Sequence, residues 1–119
     1  MVQSFMPTLT NSKRIIFPTS YGFQIVKPDN IIYCQADQNY TRVFTSDSKE
    51  LLISKPLNHI EDLLSVDCFY RIHKSYLVNL NFINAYHKVD GPFVILENGI
   101  KLPVATRRNK EFINALTKQ

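Results

Sequence analysis

The chain lacks tryptophan and has only two cysteines and three glycines among its 119 residues. The cysteines, Cys34 and Cys68, stand far apart in apolar, strand-like segments, so no Cys-x-x-Cys pair and no Cys/His ligand set for zinc is present. We expect both to be reduced core residues. The glycines stand at strand starts or turns. No glycine-rich loop is left for a nucleotide phosphate, which excludes P-loop and Rossmann enzymes.

Long apolar runs are also missing. No stretch of about 18 apolar residues is present, so we predict no membrane span, and residues 1–20 lack the pattern of a secretory signal. His59, His73 and His87 have no metal-binding spacing, and no catalytic serine elbow occurs. We therefore expect no metal, no cofactor and no enzymatic activity, and we expect a cytoplasmic location.

The composition that remains is that of a globular domain with a moderate positive charge. Apolar residues make up 45% of the chain, and 14 Lys and Arg against 10 Asp and Glu give a formal net charge of +4. The length suits one domain. The basic excess favours a polyanionic partner without naming one.

Short strand-like segments separated by turn residues dominate the chain. We predict a flexible tail or linker remnant over residues 1–12 and one domain over 13–119. Alternating apolar patterns predict strands over 14–17, 22–26, 31–36, 40–45, 50–53, 69–80, 83–86, 93–96 and 100–104, with Asn98-Gly99 as a hairpin signal. Helical spacing covers 57–64 and 107–117, with Ser54 and Thr106 as capping residues. The pattern indicates a mainly β fold with two short helices.

The segment from Phe69 to Leu80 has a strand-like alternation that is interrupted by His73-Lys74-Ser75. In one regular strand, Lys74 would be the only charge on an otherwise apolar face. Burying an unpaired ammonium is costly. We therefore expect the chain to bend at these three residues and to present them on a loop anchored by two strands. Such a rigidly mounted basic loop suits contact with a nucleic acid.

Two further segments are polar in the same way. Arg107 and Arg108 occupy the first turn of the last helix, where the helix dipole disfavours cations, so they are candidates for contacting an anion. Solvated helix residues are the equally supported alternative. Asp37 to Arg42 joins a polar turn to a strand and offers amide, hydroxyl and guanidinium groups that suit base edges and phosphates. The same groups occur in ordinary hairpin turns.

Three motifs, in order, resemble the LytTR family of DNA-binding domains over roughly Gly22 to Thr117. They are Ile32 to Thr41, then Phe69 to Asn79 with its core Arg-x-His-Lys-Ser-Tyr-Leu-Val-Asn, and then Asn98 to Arg108. The resemblance implies an elongated β-sandwich of small antiparallel sheets with two short helices. It also implies that loops, and not a recognition helix, enter successive major grooves of duplex DNA.

The resemblance also implies roles for individual residues. By position in the motifs, the base-contacting residues are Thr41, Lys74 and Arg108. The residues that contact the DNA backbone are Asn39, Arg42, Arg71, His73 and Arg107. Thr106 stands where the family usually has serine.

A sequence-specific transcriptional regulator is the function that the resemblance implies. We expect two copies on direct repeats of double-stranded DNA, forming a homodimer there. Family members usually carry the domain behind a receiver domain or a membrane segment, and neither is present in this sequence. We therefore expect either a stand-alone regulator or the output domain of a larger two-component response regulator.

Two other functions stay open from the sequence. One is a protein-interaction or sensory β-domain whose basic loops dock an acidic partner. The other is a single-stranded nucleic-acid binder, suggested by 12% aromatic residues that include Tyr40, Tyr70 and Tyr76.

Overall fold

The structure is a computed structural model, which describes residues 13–65 and 68–118. Residues 1–12, where we predict a tail, lie outside the described residues. The described elements are β1 (Ile15–Thr19), β2 (Gly22–Val26), β3 (Ile31–Asp37), β4 (Tyr40–Thr45), β5 (Glu50–Ile53), α1 (Leu57–Leu63), β6 (Phe69–His73), β7 (Tyr76–Asn79), β8 (Ile83–His87), β9 (Phe93–Leu96), β10 (Lys101–Pro103) and α2 (Thr106–Thr117). Short 3-10 turns at Pro28–Asn30 and Leu80–Phe82 precede β3 and β8.

A five-stranded antiparallel sheet, in the order β5-β4-β3-β7-β6, forms the central layer. One of its faces packs against the β1–β2 hairpin and α1, around Phe17, Ile53 and Ile60. The opposite face packs against the three-stranded sheet β10-β9-β8 and α2, around Val94 and Phe112. The molecule is elongated, with extents of 53 × 33 × 23 Å. This architecture confirms the predicted sandwich of small antiparallel sheets with two helices.

Strand alternation decides which side chains of β4 reach the surface. Successive side chains of a strand point to opposite faces, and Thr41, Val43 and Thr45 are buried on the side of α1. Arg42 and Phe44 point to the other face, where Phe44 stacks on Tyr33 with ring centroids 4.4 Å apart. A shift of one residue would exchange the two sets, so this register separates the buried threonine from the exposed arginine.

The predicted bend at His73-Lys74-Ser75 is confirmed. β6 ends at His73 and β7 begins at Tyr76. The pairing of the two strands shifts register between Arg71 and His73, so Ile72 is the extra residue of a bulge. Ile72 belongs to the core beneath α2, whereas the side chain of Arg71 reaches Glu61 of α1. The bulge therefore sets the direction of the side chains just before the turn.

Both predicted helix caps are wrong. Ser54 Oγ donates to the Pro18 carbonyl at 3.2 Å, and Pro56 occupies the N-cap of α1 without a side-chain cap. At α2 the N-cap is Ala105, and Thr106 is already helical. The physical reason is that the Ala105 N–H donates to the Ile72 carbonyl at 2.8 Å, which holds Ala105 in an extended conformation one residue earlier than predicted.

The cysteines differ in burial. Cys34 is fully buried, and burial raises the pKa of its thiol, so it stays un-ionised. Cys68 is exposed, so its prediction as a core residue is wrong, because it precedes β6 and is not part of that strand. Over 13–65 and 68–118, no helix is long and apolar enough to cross a membrane. Within the same ranges, no three His, Cys, Asp or Glu side chains group as metal ligands.

The outward face of the β1–β2 hairpin is apolar. Ile16 pairs with Ile25 and Pro18 with Phe23 across the two strands. Ile16, Phe23 and Ile25 are more than half exposed, at 57%, 72% and 57%. The hairpin thus buries only its inner side chains, such as Phe17, against the central sheet.

Candidate nucleic-acid interface

Two turns lie side by side at one end of the central sheet. The β3–β4 turn contains Gln38 and Asn39, and the β6–β7 turn contains Lys74 and Ser75. β3 and β7 are neighbours in the sheet, and the Ala36 N–H donates to the Ser75 carbonyl at 2.9 Å. This bond joins the base of the first turn to the tip of the second.

The start of α2 adjoins the β6–β7 turn on its other side. β6 is an edge strand, whose outer carbonyls need partners. The Ile72 carbonyl accepts from Ala105 N–H at 2.8 Å, and the Arg71 carbonyl accepts from Arg108 Nη1 at 3.3 Å. The three segments that the sequence singled out therefore meet at one end of the central sheet, which we call the basic end.

Lys74 projects from the tip of the β6–β7 turn and is exposed. Among the described residues, no carboxylate forms an ion pair with it. An exposed ammonium on a short turn between two paired strands has a fixed base and a mobile, hydrated head. It is suited to contacting an anion or an acceptor edge.

His73 is a neutral hydrogen-bond donor at the foot of this turn. Its Nδ1 accepts from the Ser75 N–H at 3.1 Å, so the proton of the neutral ring is on Nε2. Desolvation lowers the pKa of His73, and the nearby charges of Lys74, Arg108 and Arg71 lower it further. His73, Lys74, Arg71 and Arg108 therefore share a small region.

Arg71, a predicted phosphate contact, is mostly buried and is hydrogen-bonded within the protein. Its Nε donates to the His73 carbonyl at 3.0 Å, one Nη donates to Glu61 Oε1 at 2.7 Å, and the other Nη donates to the Lys74 carbonyl. The side chain is only 15% exposed. Each guanidinium nitrogen therefore has a partner within the protein.

Arg42 points to the surface, but two carboxylates offset its charge. Its Nε donates to Asp37 Oδ2 at 2.9 Å and an Nη donates to Glu50 Oε2 at 2.5 Å. These hydrogen bonds and charges, that of Glu50 first, raise the pKa of Arg42 above its ordinary value. A phosphate would have to compete with both carboxylates, so the predicted backbone contact is weakened by the surroundings.

Thr41, the third predicted base contact, is buried in this structure. The residue is 0% exposed, and its hydroxyl donates to the Lys55 carbonyl at 2.8 Å. Thr41 faces the α1 side of the sheet, because the alternation of β4 directs it there. Its hydrogen bond instead ties the end of β5 to β4.

The other predicted residues are at the surface. Asn39 is exposed in the β3–β4 turn, and Arg107 is exposed in the first turn of α2. Arg108 is half-buried, because its guanidinium lies along β6. The sequence reasoning missed Lys55, which is exposed and whose carbonyl holds Thr41. Its place directly after a strand that pairs with β4 was the signal that it belongs to this end.

Comparisons with known proteins match most of the chain to one family. Residues 21–117 match the LytTr DNA-binding domain. The transcriptional regulatory protein LytR of Staphylococcus aureus is 32% identical over 90 residues, which are 74% of this chain and 36% of that protein. The CO-responsive transcriptional regulator RcoM of Rhodospirillum rubrum is 31% identical over 77 residues, which are 64% of this chain and 32% of that protein. The chain thus spans about a third of the length of these curated relatives.

A solved structure shares the fold. The LytTr DNA-binding domain of a response regulator from Bacillus cereus superposes with a TM-score of 0.74 at 25% sequence identity. The superposition covers 87% of this chain and 96% of that chain. The shared fold therefore extends over most of the chain.

Proposed function

Because this chain belongs to the LytTr family of DNA-binding domains, we propose that it regulates transcription by reading duplex DNA with the three segments of its basic end. The observation that carries the proposal is the adjacency of Lys74 and Arg108. Both are cationic, both lie at ends of regular elements, and Arg108 donates to the strand that leads into the Lys74 turn. Cations carried by rigid turns and helix ends in this way are suited to sequence reading.

Lys74 and Arg108 are the proposed base readers. A lysine or arginine that reaches O6 and N7 of guanine in the major groove contributes about 1–3 kcal/mol of discrimination. Asn39, His73 and Arg107 are the proposed backbone contacts. His73 offers Nε2–H to a phosphate, since its Nδ1 is already an acceptor for Ser75.

The width of the sheet end supports loop insertion. Neighbouring strands are about 4.8 Å apart, so the centres of the β3–β4 and β6–β7 hairpins are separated by roughly 10 Å. A major groove of about 12 Å accepts one two-stranded ribbon. Two adjoining hairpins are wider than that, so we propose that their tips follow the direction of the groove.

The partners follow from the same proposal. The longest extent of the domain, 53 Å, corresponds to about one and a half helical turns of DNA, each of which is about 34–36 Å. We propose that two copies occupy neighbouring direct repeats as a homodimer on DNA, in the cytoplasm. A receiver domain in the same polypeptide would supply the signal, as expected for a two-component output domain.

The proposal is tested by selecting duplexes from a random pool and then comparing the selected duplex with a scrambled one. We expect Lys74→Ala to lose most of the discrimination between them. Lys49→Ala is the matched control, because Lys49 is an exposed lysine in the β4–β5 turn at the far end of β4. Equal weakening on both duplexes by Lys74→Ala would remove its base-reading role.

The alternatives predict other outcomes. A protein-interaction domain is favoured by the exposed apolar face of β1–β2, and it would bind duplexes without discrimination. A single-stranded nucleic-acid binder would prefer single strands in direct competition. The second is less supported, since Tyr70 and Tyr76 pack against the core beneath α2 and only Tyr40, at 43% exposed, is available for stacking at this end.

A further inference from the structure

Arg71 connects both proposed base readers, although its own side chain is only 15% exposed. Its guanidinium donates to the carbonyls of His73 and Lys74, the two residues that open the β6–β7 turn. Its backbone carbonyl accepts from Arg108 at 3.3 Å. Arg71 thus contacts both the side chain of Arg108 and the turn that presents Lys74.

Glu61 is the third member of this arrangement, because it is the ion-pair partner of Arg71. Its Oε1 accepts from Arg71 at 2.7 Å, with side-chain exposures of 40% for Glu61 and 15% for Arg71. Glu61 is on α1. Its neighbours Ile60 and Leu64 are fully buried in the core between α1 and the central sheet. Glu61, Arg71 and Arg108 line one cleft of about 330 Å³. The carboxylate therefore fixes Arg71 to a rigid element.

We infer that Glu61 and Arg71 are positioning residues, which fix the Lys74 turn and Arg108 relative to each other before DNA arrives. The inference rests on the proposed function, because it assigns the ion pair a task in base reading. Without the guanidinium, the carbonyls of His73 and Lys74 lose their donor. The turn then samples more conformations, and binding must restore the lost order.

The sign of the effect of Glu61→Ala tests the inference. Simple electrostatics predicts tighter DNA binding, because a negative charge near a polyanion is removed. Positioning predicts instead that Glu61→Ala weakens the preference for the selected duplex. We expect the ratio of affinities for selected and scrambled duplexes to fall on the order of tenfold, the size typical of hydrogen bonds to charged groups.

Asp62→Ala is the matched control. Asp62 is the next residue on α1, is exposed, and forms no ion pair among the described residues. Its substitution removes the same charge and introduces the same side chain. We expect the duplex ratio of Asp62→Ala to equal that of the wild type. If Glu61→Ala and Asp62→Ala behave alike, the inference is wrong.

Arg71→Lys tests the partner without changing the charge. A single ammonium lacks the fork that serves three separate acceptors. Positioning predicts a fall in the duplex ratio like that of Glu61→Ala, with an unchanged salt dependence. A direct phosphate contact predicts near wild-type behaviour instead. The double variant Glu61→Ala/Arg71→Lys should be no worse than either single variant, because both act through one contact.

A measurement without DNA separates the inference from the proposed function. The Ser75 N–H donates to His73 Nδ1 within the turn, so positioning by Glu61 and Arg71 predicts faster hydrogen exchange of Ser75 in Glu61→Ala than in Asp62→Ala. Urea unfolding shows whether either variant is globally destabilised, and Glu61→Gln serves where Glu61→Ala does not fold. A wild-type domain that selects no duplex would overturn the proposed function. Unchanged Ser75 exchange would overturn the inference.

Discussion

Arg42 in the β3–β4 hairpin and Arg71 in the β6–β7 hairpin lie at the same end of one sheet, yet their guanidinium groups have different partners. Arg42 is 40% exposed and is shared by two carboxylates, those of Asp37 and Glu50. Arg71 is 15% exposed and has one carboxylate and two turn carbonyls. The first arginine is neutralised at the surface, whereas the second organises the backbone beneath it.

This difference distributes charge unevenly over the basic end. In the β3–β4 half the charge of Arg42 is compensated and the tip residues Gln38 and Asn39 are uncharged, which leaves Lys55 after β5 as its exposed cation. The other half consists of the β6–β7 turn and the start of α2, and it carries Lys74, Arg107 and Arg108. None of these three side chains forms an ion pair among the described residues. Positive potential, which attracts DNA, is therefore concentrated on the half whose turn is held by Arg71.

Arg108→Ala should have the largest effect, since it removes a proposed base reader and a bond to β6. We expect a loss of about 1–3 kcal/mol of discrimination between selected and scrambled duplexes. Arg107→Ala, one residue away and exposed, is the control. Arg107→Ala should weaken binding to both duplexes alike. It should also reduce the steepness of log K, the logarithm of the binding constant, against log salt by about 0.9. Identical profiles for the two variants, measured by fluorescence anisotropy over a salt series, would contradict the division of roles.

Asp37→Asn should have a smaller effect, and it should strengthen DNA binding. It frees part of Arg42 from its carboxylates, so affinity should rise on every duplex and the salt dependence should become steeper. Glu61→Ala removes the same charge from the other half and is expected to lower recognition. If both variants raise affinity without changing the duplex ratio, the contrast between the two arginines has no functional meaning.

Much of this arrangement could be predicted from the sequence. The alternation of apolar residues gave the strands, and the isolated charge of Lys74 gave the turn, because burial of an unpaired ammonium is costly. Asn98-Gly99 gave the last hairpin, in which Gly99 has a φ of +87°. These features depend on local chemistry, which a single sequence contains.

Other features depend on long-range partners, which a single sequence does not show. Thr41 follows a polar turn in the sequence, but the alternation of β4 buries it. Arg71 meets its acceptors Glu61 and His73 beside the bulge at Ile72, which the apolar pattern does not predict. Both helix caps failed for the same reason, since contacts with Pro18 and Ile72 replaced local capping.

The smallest expected effect concerns pH and the His73 hydrogen bond. Desolvation and the charges of Lys74, Arg108 and Arg71 lower the folded pKa of His73 below its ordinary 6.5. As the pH falls through about 6.5, the unfolded chain takes up a proton that the folded ring resists. The contribution of His73 to stability is therefore complete above that pH and is lost as the pH falls towards the folded pKa.

His73→Asn isolates this contribution. An asparagine side chain still accepts from the backbone N–H two residues on, as Asn79 does from Asn81 at 2.9 Å, but it does not titrate. We expect the free energy of unfolding in urea to fall less for His73→Asn than for the wild type between about pH 7.5 and 5.5, on either side of the ordinary histidine pKa. His59→Asn, at an exposed position of α1, is the control and should retain the wild-type pH dependence. A steeper loss of unfolding free energy with falling pH in His73→Asn would mean that the ring gains a proton on folding. The neighbouring cations would then not lower the pKa of His73 as the geometry indicates.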